Sequence, residues 1–226
     1  SNDFDFNNIL TSQVSRVEIL KGNQSSIYGS GAVGGTIHIN TKKGEPGFKK
    51  DLKYSTGSHD THNLSTSVSG GDSLKRYFVG LQRFHTDGIS QMTHNDENDR
   101  YRNNGLIASF SNKFNENLEF QSNARISETY LQYDAVCVSN LFGCSPSRDH
   151  SEEVDAVESS ANISLIYKPI KKFKNKFTLA NTYIKRIYAG APGSKNTQQD
   201  NYYGDRYAFI YQGEYNFDLD NSIILG

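Results

Sequence analysis

Cysteine and histidine are the residues of this chain most able to bind a metal or form a covalent link, and both are few. The 226-residue sequence holds two cysteines and six histidines. Cys137 and Cys144 lie close together in a polar stretch, which favours a local disulfide formed in an oxidising compartment over two free thiols. A zinc site would need two further ligands from elsewhere in the chain.

Four of the histidines, His59, His62, His85 and His94, fall in polar segments. They could suggest haem or metal binding, but histidines scattered in polar loops are more often simply solvated. The sequence also lacks a nucleophile elbow, a zinc-binding helix and paired catalytic carboxylates in a setting that would support chemistry. We therefore expect a protein that is not an enzyme.

A second feature is the glycine-rich stretch "KGNQSSIYGSGAVGGTIHINTKKG", residues 21–44, which contains six glycines. It has neither the spacing of a phosphate-binding loop nor a strand, glycine motif and helix in series. Gln24 to Tyr28 reads as one helical turn that Gly29 ends with a positive φ. The flanking segments Val17–Leu20 and 36–40 read as strands.

Composition narrows the class of protein. Aromatic residues make up 12% of the chain although the mean hydropathy is −0.67, which suggests many half-exposed strands. The net charge of −1 argues against a nucleic-acid-binding protein, which would carry a basic face. No apolar run is long enough for a transmembrane helix, and barrel strands remain compatible with this because they are short and alternating.

From Lys49 onward the sequence alternates apolar and polar residues, as strands with one apolar face do. Eight such strands and the start of a ninth are expected, with these segments as their centres: 52–56, 64–68, 77–81, 106–110, 118–126, 163–167, 177–183, 207–217 and 222–225. A soluble sandwich would alternate in the same way. The lengths of the connections favour a membrane barrel over a sandwich, because short connections alternate with long ones, as in outer-membrane barrels. The long connections are 86–103, 127–156 and 188–205.

The stretch "VEILKGNQSSIYGSGAVGGTIHINTKKG", residues 17–44, closely resembles the end of the plug domain of TonB-dependent outer-membrane receptors. That family typically carries V-E, two hydrophobic residues, K-G-P, and then Y-G-x-G-A, G-G-x-I-x-I and T-K at the same spacing. Asn23 stands where the family usually has proline, a change that we expect to cost only some rigidity of the turn.

The resemblance implies an all-β membrane protein: part of a 22-stranded antiparallel transmembrane barrel of the bacterial outer membrane. Residues 1–44 would form the last part of the plug and residues 45–226 the first eight or so strands. We expect the chain to be a fragment, with any export signal and the segment that contacts the TonB energy-transducing complex upstream of Ser1. The implied function is active import of a scarce, large nutrient.

Three segments look most like vitamin B12 (cobalamin) receptors: "FHTDG" at 84–88, "NDENDRYRNNGLIASFSNKF" at 95–114 and "QYDA" at 132–135. In that subfamily two extracellular loops carry calcium ligands and touch the substrate. Carried over, the resemblance implies calcium ligands at Asp87, Glu97, Asp99, Tyr133, Asp134 and Asp149, with Asn95 a weaker candidate, and substrate contact at Ala135. Calcium binds six to eight oxygens, and residues two apart on an extended segment point the same way.

Alternatives stay open at this level. The acidic residues could simply solvate an exposed loop, and the two cysteines could order the second loop without metal. A siderophore or haem receptor shares the plug motif and is the nearest rival to a corrinoid receptor. A passive porin or a surface adhesin would lack that motif, so residues 17–41 count against it.

Overall fold

The computed structural model describes residues 9, 11–25, 29–90, 98–134, 151–190, 200–218 and 221–226. Within them the chain forms a two-stranded and a nine-stranded antiparallel sheet. The strands are β1 (Val14–Lys21), β2 (Gly35–Thr41), β3 (Gly47–Gly57), β4 (Thr61–Gly71), β5 (Lys75–Thr86), β6 (Tyr101–Lys113), β7 (Leu118–Asp134), β8 (Ser151–Ile170), β9 (Phe173–Gly190), β10 (Asp200–Asn216) and β11 (Ser222–Leu225). Two 3-10 turns lie at Thr11–Gln13 and Ser30–Ala32. No helix in these ranges is long and apolar enough to cross a membrane.

The large sheet is a meander in which β3 to β11 each pair with the next strand along the chain. This confirms the nine predicted strands. The strand ends joined by the 58–60 turn and by the connections 87–100, 135–150 and 191–199 form one edge of the wall, the long-loop rim. The opposite strand ends form the other edge, the short-turn rim. The predicted connection 127–156 is too wide, because β7 continues to Asp134 and β8 begins at Ser151.

The two faces of the large sheet reverse the usual arrangement of a soluble protein. The face away from the β1–β2 hairpin, called the outer face, exposes apolar side chains such as Tyr207 (78% exposed) and Phe209 (66%). The inner face buries polar ones, including Asn103, Ser127 and Glu158. Large exposed apolar surfaces mark contact with a membrane or a partner, and alternation along each strand produces both faces at once.

The apolar part of the outer face forms a band of limited height. On β7 it runs from Leu118 to Ile126, and the next outward residue is Glu128. On β10 it runs from Tyr215 to Tyr207, followed by Asp205. Each segment has about the 9–11 residues that a tilted strand needs to cross a bilayer. Beyond this band, toward the long-loop rim, polar residues occupy both faces.

The residues that flank the β1–β2 hairpin attach it to the inner face through polar contacts. The Ser12 hydroxyl donates to the side-chain oxygen of Gln82, whose amide donates to Asn63 over 2.8 Å. The Ser109 hydroxyl donates to the carbonyl of Lys42 over 3.4 Å. Gly44 then crosses β5 so closely that an added Cβ would overlap its backbone, which is the close approach for which glycine is suited.

Hydrogen bonds between nearby residues stabilise the turn of the glycine-rich stretch. Gly29 has φ 86° and its N–H donates to the Ser25 carbonyl over 3.0 Å, as the predicted helical turn requires. The Asn23 side-chain oxygen accepts the N–H of Ser25 over 2.9 Å. This side-chain turn replaces part of the rigidity that a proline would supply.

Candidate functional site

A cavity of about 410 Å³ separates the hairpin from the inner wall. Val14 and Ile39 of the hairpin line one side of it. The wall side is largely polar and includes Gln121, Asn123, Arg125, Ser160, Asn162 and Lys176. The inner face is therefore polar next to the hairpin.

Four tyrosines face inward near the long-loop rim: Tyr101 on β6, Tyr133 on β7, Tyr188 on β9 and Tyr202 on β10. Their common face follows from the strand register, in which Tyr101 pairs with Leu131, Tyr133 with Glu152 and Tyr202 with Arg186. The rings of Tyr188 and Tyr202 meet edge to face with centroids 5.6 Å apart. Such rings present apolar faces with a polar tip, which suits a large, partly apolar ligand.

Below these tyrosines, the inner wall holds an ion pair. Arg186 Nη2 lies 2.9 Å from Glu158 Oε1, and Glu158 is buried. The hydrogen bond to Glu158 raises the pKa of Arg186. Arg125 also interacts with Glu158, so two guanidinium groups share one carboxylate and give this part of the wall a positive balance.

Tyr133 is the predicted calcium ligand that the structure describes in most detail. Its hydroxyl donates to Glu152 over 2.6 Å. Burial, and to a lesser extent this hydrogen bond, raise the pKa of Tyr133. The neighbouring Tyr130 hydroxyl donates to Glu153 over 2.8 Å. Asp134 is the last residue of β7, next to Tyr133. The end of β7 is thus tied to β8 by tyrosine–glutamate bonds.

Asp87 and Asp99 lie at the two ends of the 87–100 connection. The N–H of Asp87 donates to the His59 carbonyl over 2.8 Å, and Arg100 Nε lies 3.3 Å from its carboxylate. Asp99 is buried, and its backbone packs against Gly88, which has φ 68°. The structure therefore closes the base of this connection and brings both aspartates to it.

The remaining predicted site residues lie outside the described part of the chain. They are Glu97, Ala135, Asp149 and the cysteines Cys137 and Cys144, together with Asn95. Their roles stay predictions.

Sequence reasoning missed the strongest cluster of metal-binding side chains. Among the described residues, one group of three His, Cys, Asp or Glu side chains has ligand atoms within 4.8 Å of one another: Asp60, His85 and Asp87. His62 and His85 were expected in polar loops, and this placement is wrong because they lie opposite each other on β4 and β5. The available signal was the short Asp72–Leu74 turn, which joins β4 to β5 and fixes their register.

Comparison with known proteins gives three findings. The family described as "TonB-dependent Receptor Plug Domain" matches residues 1–36. The vitamin B12 transporter BtuB of Vibrio cholerae serotype O1 is 28% identical over 153 residues, which cover 66% of this chain and 24% of the transporter. The chain thus spans about a quarter of the length of the curated relatives it matches. BauA, the ferric preacinetobactin receptor of Acinetobacter baumannii, superposes with a TM-score of 0.51 at 13% identity, over 89% of this chain and 42% of that one, and shares the fold.

Proposed function

Since this chain belongs to the TonB-dependent receptors of the bacterial outer membrane, we propose that its complete receptor binds a scarce, large nutrient at the long-loop rim and imports it to the periplasm. The observation that carries this is the attachment of the β1–β2 hairpin to the polar inner face of the wall through its flanking residues Ser12 and Lys42. A hairpin held by polar contacts can be displaced without exposing a large apolar core.

The nutrient in this proposal is a corrinoid. Two features support it: similarity to a vitamin B12 transporter over 153 residues, and the inward tyrosines with the Arg186–Glu158 pair beneath them. The corrin ring is broad and partly apolar, so aromatic side chains suit its faces. The guanidinium groups suit the phosphate of a nucleotide tail.

We extend the proposal to calcium in the extracellular loops. Its ligand set is the predicted one: Asp87, Glu97, Asp99, Tyr133, Asp134 and Asp149, with Ala135 touching the substrate. Closure of the 87–100 connection supports this, because backbone contacts hold Asp87 and Asp99 at the base of one loop. An ion that pinned the loops would lower the entropy cost of gripping a large ligand.

The partner that supplies energy in this proposal is the TonB complex, which would act on the plug from the periplasm. The lipid partner is the outer membrane, which the apolar band of the outer face would contact. No part of the proposal needs catalysis, and the relatives found are transporters and receptors.

The test is titration of the full-length receptor, purified in detergent, with cyanocobalamin and cobinamide, with and without calcium. Binding that strengthens with calcium supports both proposals. Binding of a ferric siderophore with no corrinoid binding overturns the corrinoid assignment.

A pair of variants locates the site. Tyr188→Ala removes an inward ring and should weaken corrinoid binding by roughly 2- to 10-fold, which corresponds to an aromatic contact of about 0.5–1.5 kcal/mol. Tyr203→Ala removes a ring from the outer face of β10 and should leave binding unchanged. Equal effects of the two variants would place the ligand elsewhere.

A further inference from the structure

The Asp60, His85 and Asp87 side chains meet where the β3–β4 turn touches the end of β5, at the long-loop rim. We refer to them as the rim triad. Asp60 is well exposed, His85 and Asp87 are partly buried, and the group gathers one imidazole and two carboxylates. None of the three is needed for the tyrosine-lined inner wall described above.

The backbone fixes the rim triad in place. His59 and Asp60 are the central residues of the Ser58–Thr61 turn, with φ 56° and 49°, and the Thr61 N–H donates to the Ser58 carbonyl. Both residues adopt the left-handed region that such hairpin turns require. The N–H of Asp87 donates to the His59 carbonyl, so the turn and the end of β5 are joined directly.

The distances within the triad fit a shared ion better than direct hydrogen bonds. His85 Nε2 lies 3.5 Å from Asp87 Oδ1 and 3.6 Å from Asp60 Oδ2. Hydrogen bonds between such atoms are usually about 2.7–3.2 Å long. Two ligands bound tetrahedrally to one zinc ion at about 2.0–2.1 Å are separated by roughly 3.4 Å.

A second layer of side chains orients Asp60. His62 Nε2 lies 2.9 Å from Asp60 Oδ1, and the Tyr54 hydroxyl lies 2.9 Å from His62 Nδ1. These bonds occupy one oxygen of Asp60 and leave the other turned toward His85. Metal ligands are commonly held by outer hydrogen bonds of this kind.

We propose that the rim triad binds a first-row transition-metal dication such as Zn²⁺, with Asp60, His85 and Asp87 as ligands and water completing the coordination. The imidazole favours such ions over calcium and magnesium, which prefer oxygen ligands alone. This site shares only Asp87 with the predicted calcium set and does not depend on which nutrient is imported.

Arg100 distinguishes a metal site from an ion-pair network, because removing its charge should strengthen metal binding and not weaken it. Its Nε lies 3.3 Å from Asp87 Oδ1, so its positive charge opposes a bound cation. If the triad is a metal site, removing this charge strengthens binding. If the triad is only an ion-pair network, removing it merely loosens the loop.

The experiment measures Zn²⁺ affinity by chelator competition on the full-length receptor. Wild type should bind one Zn²⁺ in addition to any bound by His85→Gln, and His62→Gln should bind it about 10–100-fold more weakly. Arg100→Gln should bind it more tightly, whereas Lys185→Gln, which removes a distant outward-facing cation, should match wild type. Co²⁺ should give a tetrahedral visible spectrum that His85→Gln lacks.

Two results would overturn the proposal: equal Zn²⁺ affinity in wild type and His85→Gln, or weaker binding in Arg100→Gln. Displacement of Zn²⁺ by an equal concentration of Ca²⁺ would do the same, since it would assign Asp87 to a calcium site. Each variant is first checked for the resistance of the folded barrel to detergent denaturation, and Asp60→Asn provides a second ligand variant if His85→Gln misfolds.

Discussion

An arginine placed at mid-height on the outer face gives the sharpest test of the membrane-facing wall. The register pairs Leu118 with Tyr167 and Ile126 with Ser159, so the apolar band on β8 covers 159–167 and Ile163 lies at its centre. Ile163 faces outward and is 52% exposed. Ile163 is four residues from either edge of the band. At about 3.4 Å per residue on a strand tilted by about 40°, this is a depth of roughly 10 Å from each edge.

Ile163→Arg should therefore cost about 2–4 kcal/mol of folding free energy, the value for arginine near the bilayer midplane. The matched variant is Val157→Arg, on the same face of the same strand but beyond the band, opposite Glu128. It should cost about 0–1 kcal/mol. The assay is reversible denaturant unfolding of the full-length receptor in liposomes. Equal costs, or an Ile163→Arg cost under about 1 kcal/mol, would refute the assignment of the outer face to lipid.

Three further predictions use the same unfolding assay. Glu158→Gln should destabilise by about 1.5–3 kcal/mol, because it removes a charged hydrogen bond to Arg186; no loss, or no recovery in the double variant with Arg186→Gln, would contradict this. Burial and the bond to Glu153 raise the pKa of Tyr130 from its ordinary value to about 12, so the unfolded chain ionises first and stability should fall as pH rises from about 10 to 12. Tyr130→Phe should remove that part of the fall, and an unchanged pH profile would argue against the raised pKa. Gly44→Val should cost about 1–3 kcal/mol by overpacking, and a neutral result would mean that the crossing over β5 is loose.

The strands could be predicted because one face of the sheet exposes apolar side chains and the other carries polar ones. Leu118 and Phe120 on β7 alternate with Glu119 and Gln121 for this reason. The same physics explains why strand ends were missed. Beyond the apolar band both faces of β8 meet water, so Glu152 and Glu153 carry no alternation and read as loop although they belong to a strand of 20 residues.

The candidate site was only partly predictable. The resemblance pointed to Asp87 and Tyr133, but it could not show that Asp87 lies beside His85 and Asp60. That arrangement depends on the pairing of His62 with His85 across β4 and β5, which the Asp72–Leu74 turn sets. It also depends on the 58–60 turn between β3 and β4, which places Asp60 beside them. His59 and Asp60 both have positive φ in the 58–60 turn, where Asn-Gly or Asp-Gly is usual, so the His-Asp sequence did not indicate this conformation.

The polar seam between the β1–β2 hairpin and the wall also bears on mechanics. Each bond across it, such as that from Ser12 to Gln82, can be exchanged for a bond to water at a net cost of about 0.5–1.5 kcal/mol. Water that enters the seam would replace the broken hydrogen bonds as they open. A pulling force could then break these contacts one after another. The force needed at each step would be that of a single hydrogen bond, well below the force that unfolds the surrounding sheet.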